Sequence, residues 1–214
     1  MSRVRLGILI SGRGSNMEAL LKAAADPGWP CEPVLVLSNK SDAGGLARAA
    51  AFGVKTAAID HKIYGKDREA FERAVDAELR AAGVELIALA GFMRVLTPWF
   101  VTAWAGKLIN IHPSLLPKYP GVDTHARCLA AGDKVHGCTV HQVTAGVDEG
   151  PAIGQAEIDV LPGDTPDTLA ASVLKAEHLL YPRCFAAVAR KGGTRVAETM
   201  VVDGVEVRLF APKG

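Results

Sequence analysis

The first half of the chain alternates short apolar runs with stretches of helical character. That alternation limits the fold more than any other feature. Apolar runs of strand length lie at residues 4–10, 34–38, 54–59, 85–90 and 107–111. They are near-continuous rather than alternating, the pattern of strands buried on both faces. Helical stretches fill the gaps at residues 16–25, 42–52, 67–82 and 97–104. Thr97-Pro98 reads as an N-cap with proline in the first turn, and Gly53 and Gly83 stand where helices should stop. Such alternation implies βαβ units: an α/β fold with a Rossmann-like open, mostly parallel sheet and flanking helices.

The second half changes character. Residues 112–121 (HPSLLPKYPG) hold three prolines and read as an ordered loop. A short helix is expected over 123–131, and strands over 137–143 and 152–160, antiparallel additions to the sheet. Thr165-Pro166 should open a long helix reaching about residue 190, kinked at Pro182. Residues 195–210 read as a hairpin around Asp203-Gly204.

Charge narrows the partners. The 214 residues carry 24 basic and 23 acidic side chains, a net charge of +1. A nucleic-acid binder would show a basic excess. The apolar run near the N-terminus is too short for a signal peptide or a membrane span. Cys31, Cys128, Cys138 and Cys184 are widely spaced and form no CxxC pair. The expectation is a soluble cytoplasmic protein with reduced thiols, bound to neither nucleic acid nor a membrane.

Five places could carry chemistry. Ser11-Gly12-Arg13-Gly14-Ser15-Asn16 follows the first strand and opens the first helix. Glycines allow close backbone approach, and a helix N-terminus aims N–H groups at an anion. The segment matches neither the dinucleotide fingerprint nor the Walker pattern. A phosphate cradle is favoured over a plain tight turn.

Asn110 and His112 lie two apart at the carboxyl end of a strand, so both can face one pocket. An amide donor beside an imidazole suits stabilisation of an oxyanion. The plainer alternative is a histidine satisfied by a backbone carbonyl. Asp148, in a Gly/Pro loop, is either a solvated turn residue or a carboxylate that holds His112 charged.

Glu177 has apolar neighbours four residues to either side, Val173 and Tyr181, and is either paired and functional or a surface glutamate. His136, Cys138 and His141 invite a zinc reading, but Cys138 and His141 face opposite sides of a strand. No metal is expected, and His141 reads as a pocket or core histidine.

Taken together, these residues resemble the phosphoribosylglycinamide formyltransferase family, from Leu6 to about Ala189. The most specific part is Asn110-Ile111-His112-Pro113-Ser114-Leu115-Leu116-Pro117 followed by Asp148, a set shared by the wider folate-dependent formyltransferases. The narrower assignment rests on Gly14-Ser15-Asn16, the run from Ala90 to Leu96, Lys118-Tyr119-Pro120-Gly121 and Ala176-Glu177-His178. Asp123 departs from the pattern, standing where relatives often carry His or Asn.

The resemblance implies transfer of a formyl group from 10-formyltetrahydrofolate, the co-substrate, to the amine of glycinamide ribonucleotide, with no metal. It places the phosphate on Gly14, Ser15 and Asn16 and the ribose on Glu177. Folate would lie along Arg68, Met93, Arg94, Val95, Leu96, Asn110 and the Thr144–Asp148 loop. Asn110, His112 and Asp148 would be catalytic. The expected organisation is one domain over residues 1–190, with a nucleotide half to about 110, a folate half after it, and a hairpin extension over 191–214. Partners would be the two small molecules, on a monomer or homodimer.

Two other classes compete. Formyltetrahydrofolate hydrolases use the same Asn–His–Asp set on water but carry an extra N-terminal domain, whereas here the first strand begins within five residues of Met1. A non-enzymatic Rossmann-type nucleotide-binding module would explain the glycine loop and leave Asn110, His112 and Asp148 as coincidence.

Overall fold

The computed structural model describes residues 2–191 and 198–210. They form two compact units, residues 1–110 with 143–145, and residues 111–142 with 146–214.

The first unit runs β1 (Val4–Ile10), α1 (Ser15–Ala24), β2 (Cys31–Ser38), α2 (Gly44–Ala51), β3 (Thr56–Ala58), α3 (Arg68–Ala81), β4 (Leu86–Leu89), α4 (Pro98–Ala103) and the start of β5 (Leu108–His112). Its strands stand in the order β3-β2-β1-β4-β5, all parallel. The order reverses at β1, which is where open α/β sheets leave a crevice for ligands. β2 starts earlier than its apolar run, because Cys31, Glu32 and Pro33 also pair with β1. The register slips between Leu6 and Gly7, opposite a proline that has no N–H to donate. A short 3-10 turn at His61–Tyr64 was not expected from the sequence.

α3 shows why the core sits where it does. Phe71, Val75 and Leu79 repeat every four residues and are buried against Leu9, Leu35, Leu37, Phe100 and Trp104. Each such burial is worth roughly 1.5–3 kcal/mol. Away from the core Glu69 and Arg73 form an exposed pair, and Arg80 pairs with the largely buried Asp76, which also accepts the Trp104 indole N–H at 2.8 Å. Asp67 caps the helix by accepting the Ala70 N–H at 2.9 Å.

The second unit holds α5 (Thr124–Ala131), β6 (Val135–Gln142), β7 (Ala152–Asp159), α6 (Pro166–Ala189), β8 (Glu198–Val202) and β9 (Val205–Phe210). Its strands are antiparallel in the order β6-β7-β9-β8. β6 and β7 approach closely at Gly137, where an added Cβ would stand 1.9 Å from the Ala156 carbonyl oxygen. The tail hairpin turns at Asp203-Gly204; its expected start at 195–197 lies outside the described residues.

Thr165 and Thr168 form a reciprocal cap on α6, which runs without interruption through Pro182. Leu169, Val173, Ala176, Leu180, Cys184 and Phe185 make its buried stripe. All four cysteines are buried free thiols. Burial raises Cys128, pushes Cys138 well above the ordinary thiol range and pushes Cys184 up to about 12. Among the described residues no helix is long and apolar enough to cross a membrane.

Candidate active site

The glycine turn is a built feature. Gly14 is the N-cap of α1 with φ 72°, a left-handed conformation that favours glycine. α2 begins hard against this turn. The Gly45 N–H donates to Gly12 O at 3.0 Å, and a Cβ on Gly45 would meet Ile10 Cδ1 at 2.5 Å. Two glycines therefore let two helices start at the tip of β1. The free ends of a helix's first N–H groups favour an anion there. Glu18, in the same first turn, is matched by Lys22 and Arg48 at 2.9 Å, and those hydrogen bonds hold its carboxyl below the usual range.

The 90–97 segment follows β4. Arg68 donates to the Val95 carbonyl, and the Thr97 N–H donates to Glu72 at 2.8 Å. The Thr97 hydroxyl donates to the other Glu72 oxygen. Arg94 lies over the Phe71 ring, 5.1 Å from its centroid. Met93 and Val95 are exposed, as is Thr144. Asn110 is half-buried on β5, in register with Leu89 of β4.

His112 is the last residue of β5 rather than the first of a loop, and it is buried. Its Nδ1 stands 3.3 Å from Asp148 Oδ2, and its Nε2 stands 2.9 Å from the Tyr119 carbonyl oxygen. The backbone-carbonyl contact of the plainer alternative is therefore present on one nitrogen, with the Asp148 carboxylate on the other. Each ring nitrogen faces an oxygen acceptor, and only a doubly protonated ring can donate to both.

Asp148 is more than the partner of His112. Its backbone is left-handed, φ 56°. Its Oδ1 lies 3.5 Å from His141 Nε2, and its Oδ2 accepts the Gly121 N–H at 2.9 Å. Burial alone would raise this carboxyl. The His141 contact, the Gly121 N–H and the two imidazoles outweigh it and hold the group below the usual carboxylate range. Asp148 also lines a cavity of about 860 Å³ with Leu116, Pro117, Val147, Gln155 and Phe210. That volume suits a small-molecule site.

The proline-rich loop is fixed by polar contacts that apolar periodicity does not reveal. Thr139 Oγ1 donates to Ser114 O at 2.7 Å and accepts the Leu116 N–H at 3.0 Å. Gln155 Nε2 donates to Leu116 O at 2.9 Å. The Ser114 hydroxyl donates to Lys118 O at 2.6 Å. Together these hold the Tyr119 carbonyl and the Gly121 N–H where His112 and Asp148 meet them.

The geometry thus brings His112 to Asp148 and Arg68 to Val95. It adds His141, Tyr119 and Gly121, which sequence reading had not attached to the pair. Glu177 is buried on the inner stripe of α6, so the surface alternative is excluded.

The zinc alternative meets three separate neighbourhoods. His136 Nε2 is 3.1 Å from His125 Nδ1, Cys138 is wholly buried, and His141 faces Asp148. Among the described residues no cluster of three or more His, Cys, Asp or Glu could hold a metal ion.

The His125–His136 pair has a consequence for acid stability. Burial, then the charge of His125, lowers His136 to about 4 from an ordinary 6.5. The folded protein keeps this ring neutral while the unfolded chain protonates it. Its contribution is therefore complete above about pH 6.5 and declines as pH falls towards 4. The slope is at most about 1.4 kcal/mol per pH unit. We expect the melting temperature to fall more steeply between pH 6.5 and 5 in the wild type than in His136→Asn. Parallel slopes would refute this.

A family model described as formyl transferase matches residues 4–185. A trifunctional purine biosynthetic protein, adenosine-3, of Drosophila melanogaster is 48% identical over 86% of this chain. The chain spans only 14% to 19% of the length of such trifunctional relatives. The phosphoribosylglycinamide formyltransferase of Escherichia coli K12 is 45% identical, with 82% of each chain covered. The crystal structure of the Brucella melitensis phosphoribosylglycinamide formyltransferase superposes with a TM-score of 0.84 at 52% identity, covering 88% of this chain and 96% of that one. Its mixed sheet, mostly parallel at the centre with flanking helices, is the fold seen here. The chain belongs to the formyl transferase family, among the phosphoribosylglycinamide formyltransferases.

Proposed function

We propose that this chain transfers the formyl group of 10-formyltetrahydrofolate to the amine of glycinamide ribonucleotide, a step of purine synthesis, in the cytoplasm. The observation that carries the reading is the His112–Asp148 contact at the carboxyl end of β5, two residues beyond Asn110. The nucleotide's amine is itself the nucleophile, so neither an activated serine nor a thiolate is required, and the buried cysteines have no part in it. Attack on the formyl carbon puts negative charge on the formyl oxygen. Asn110 and His112 are the donors to that oxygen. Asp148 holds the His112 ring through Nδ1 and lies on the path of the proton that leaves the amine. The protein supplies orientation, oxyanion donors and a proton path.

Gly14, Ser15 and Asn16 would hold the nucleotide's phosphate and Glu177 its ribose. Arg68, Met93–Leu96, Thr144 and Asp148 would line the folate. Residues 1–190 would act as one catalytic domain. The assay is deformylation of a 10-formylfolate analogue with and without glycinamide ribonucleotide. Turnover that requires the nucleotide supports this reading. Turnover without it marks a hydrolase, and none at all marks a binding module.

Gly14→Val should weaken nucleotide binding. The left-handed backbone disfavours a β-branched residue, and a Cβ there would already stand 3.0 Å from Met17 Cε. We expect at least about a tenfold loss of affinity, roughly 1.4 kcal/mol. Unchanged affinity in a folded mutant, measured by calorimetric titration, would remove this turn from the site.

A further inference from the structure

Ser11 ends β1's run into the glycine turn and is buried, 5% exposed. Its N–H donates to Gly91 O at 3.1 Å. Its hydroxyl accepts the Met93 N–H at 2.8 Å. A hydroxyl has a single proton to give, and here it goes to Asn39 Oδ1 at 2.6 Å. Asn39 is buried as well, and its carbonyl oxygen lies 2.8 Å from His61 Nδ1.

The segment from Gly91 to Thr97 packs on the core through Phe92 and Leu96, while the residues between and beside them stand out from it. Met93 is 80% exposed and Val95 62% exposed. Its backbone hangs from Ser11 at Gly91 and Met93, from Arg68 at Val95, and from Glu72 at Thr97. Of these anchors only Ser11 belongs to the glycine turn.

We propose that Ser11 is a positioning residue that couples the two ligand sites of this unit, the phosphate cradle at Gly14–Asn16 and the folate loop at Met93–Leu96. The inference rests on the functional reading above. An anion that settles the cradle backbone also settles Ser11, which then holds the Met93 N–H in place. The second ligand meets a loop already ordered, so each binds more tightly in the presence of the other. Such coupling is reciprocal, with one factor in both directions.

The test is calorimetric titration of the full chain. Glycinamide ribonucleotide is added with and without a saturating, non-transferable folate analogue, and the order is then reversed. In the wild type each ligand should tighten the other by about fivefold or more, with equal factors. In Ser11→Ala each ligand alone should bind within about threefold of wild type while the coupling factor falls to about one. Ser11→Thr retains a hydroxyl and should restore the factor. Asn39→Ala frees that hydroxyl to turn away and should lower the factor even if Ser11→Ala does not fold. A wild-type factor in Ser11→Ala or Asn39→Ala overturns the proposal. So does a wild type that binds both ligands without coupling. A wild type that binds neither ligand overturns the functional reading and this inference with it.

Discussion

Asn110→Ala and His112→Ala should each lower turnover by about 100- to 1000-fold while changing nucleotide affinity little. Charge appears on the formyl oxygen only as the tetrahedral intermediate forms. Donors fixed in advance therefore stabilise the transition state more than the bound substrate. In this structure His112 Nε2 faces the Tyr119 carbonyl at 2.9 Å. In the proposed reaction the formyl oxygen would take the place of that carbonyl as the partner of Nε2.

Asp148→Asn keeps the shape and removes the charge. It sets an amide against two imidazoles and the Gly121 N–H, a group of contacts that suits a carboxylate. Turnover should fall by at least about tenfold. Asp148 is held below its ordinary value of 3.8, so its stabilisation is full above that pH. It is lost progressively as pH falls from there towards the lower folded value. Asp148→Asn should lack that acid limb in both stability and rate. Single-turnover rates and melting curves across pH would decide. Wild-type turnover in all three folded mutants would end the assignment.

Gly137→Ala should cost about 3 kcal/mol or prevent folding altogether. No rotamer relieves the clash, because the added carbon would lie 1.9 Å from the Ala156 carbonyl oxygen and 2.9 Å from its carbon. β6 and β7 would have to part at the centre of their ladder. For a chain of this size the melting temperature should drop by roughly 6–12 °C. Gly44→Ala is the control, since an added Cβ there meets nothing within 4 Å. A Gly137→Ala protein that melts within about 2 °C of wild type would show that the strands accommodate the methyl group.

The parallel half of the fold was legible because its signal is local. A strand buried on both faces must be apolar along its buried length, and β4 and the Leu6–Ile10 part of β1 are so. Thr97 and Thr165 announced α4 and α6 by their own chemistry, and both accept the N–H three residues on. Asn110 and His112 were legible as a pair because they sit two apart on one strand. Asp148 was legible as a candidate, but spacing could not show that it reaches His112.

His141 as its second partner was missed. The Tyr119 carbonyl and the Gly121 N–H were missed for another reason. Any residue offers those backbone groups, so only the folded path of the loop identifies them. β2 was read too short because Glu32 and Pro33 break an apolar run without breaking the ladder. Glu177 remained open until burial excluded the surface alternative.

The buried cysteines make the chain its own reporter of unfolding. A thiol reacts with an alkylating or disulfide reagent as the exposed thiolate. Here all four are shut away, and burial disfavours ionisation at Cys128, Cys138 and Cys184. Labelling at neutral pH must then wait for the chain to open. Cys31 follows β1 and β2, while Cys138 and Cys184 follow β6 and α6. Mass spectrometry of labelled peptides would time the opening of each region separately, with no probe engineered into either.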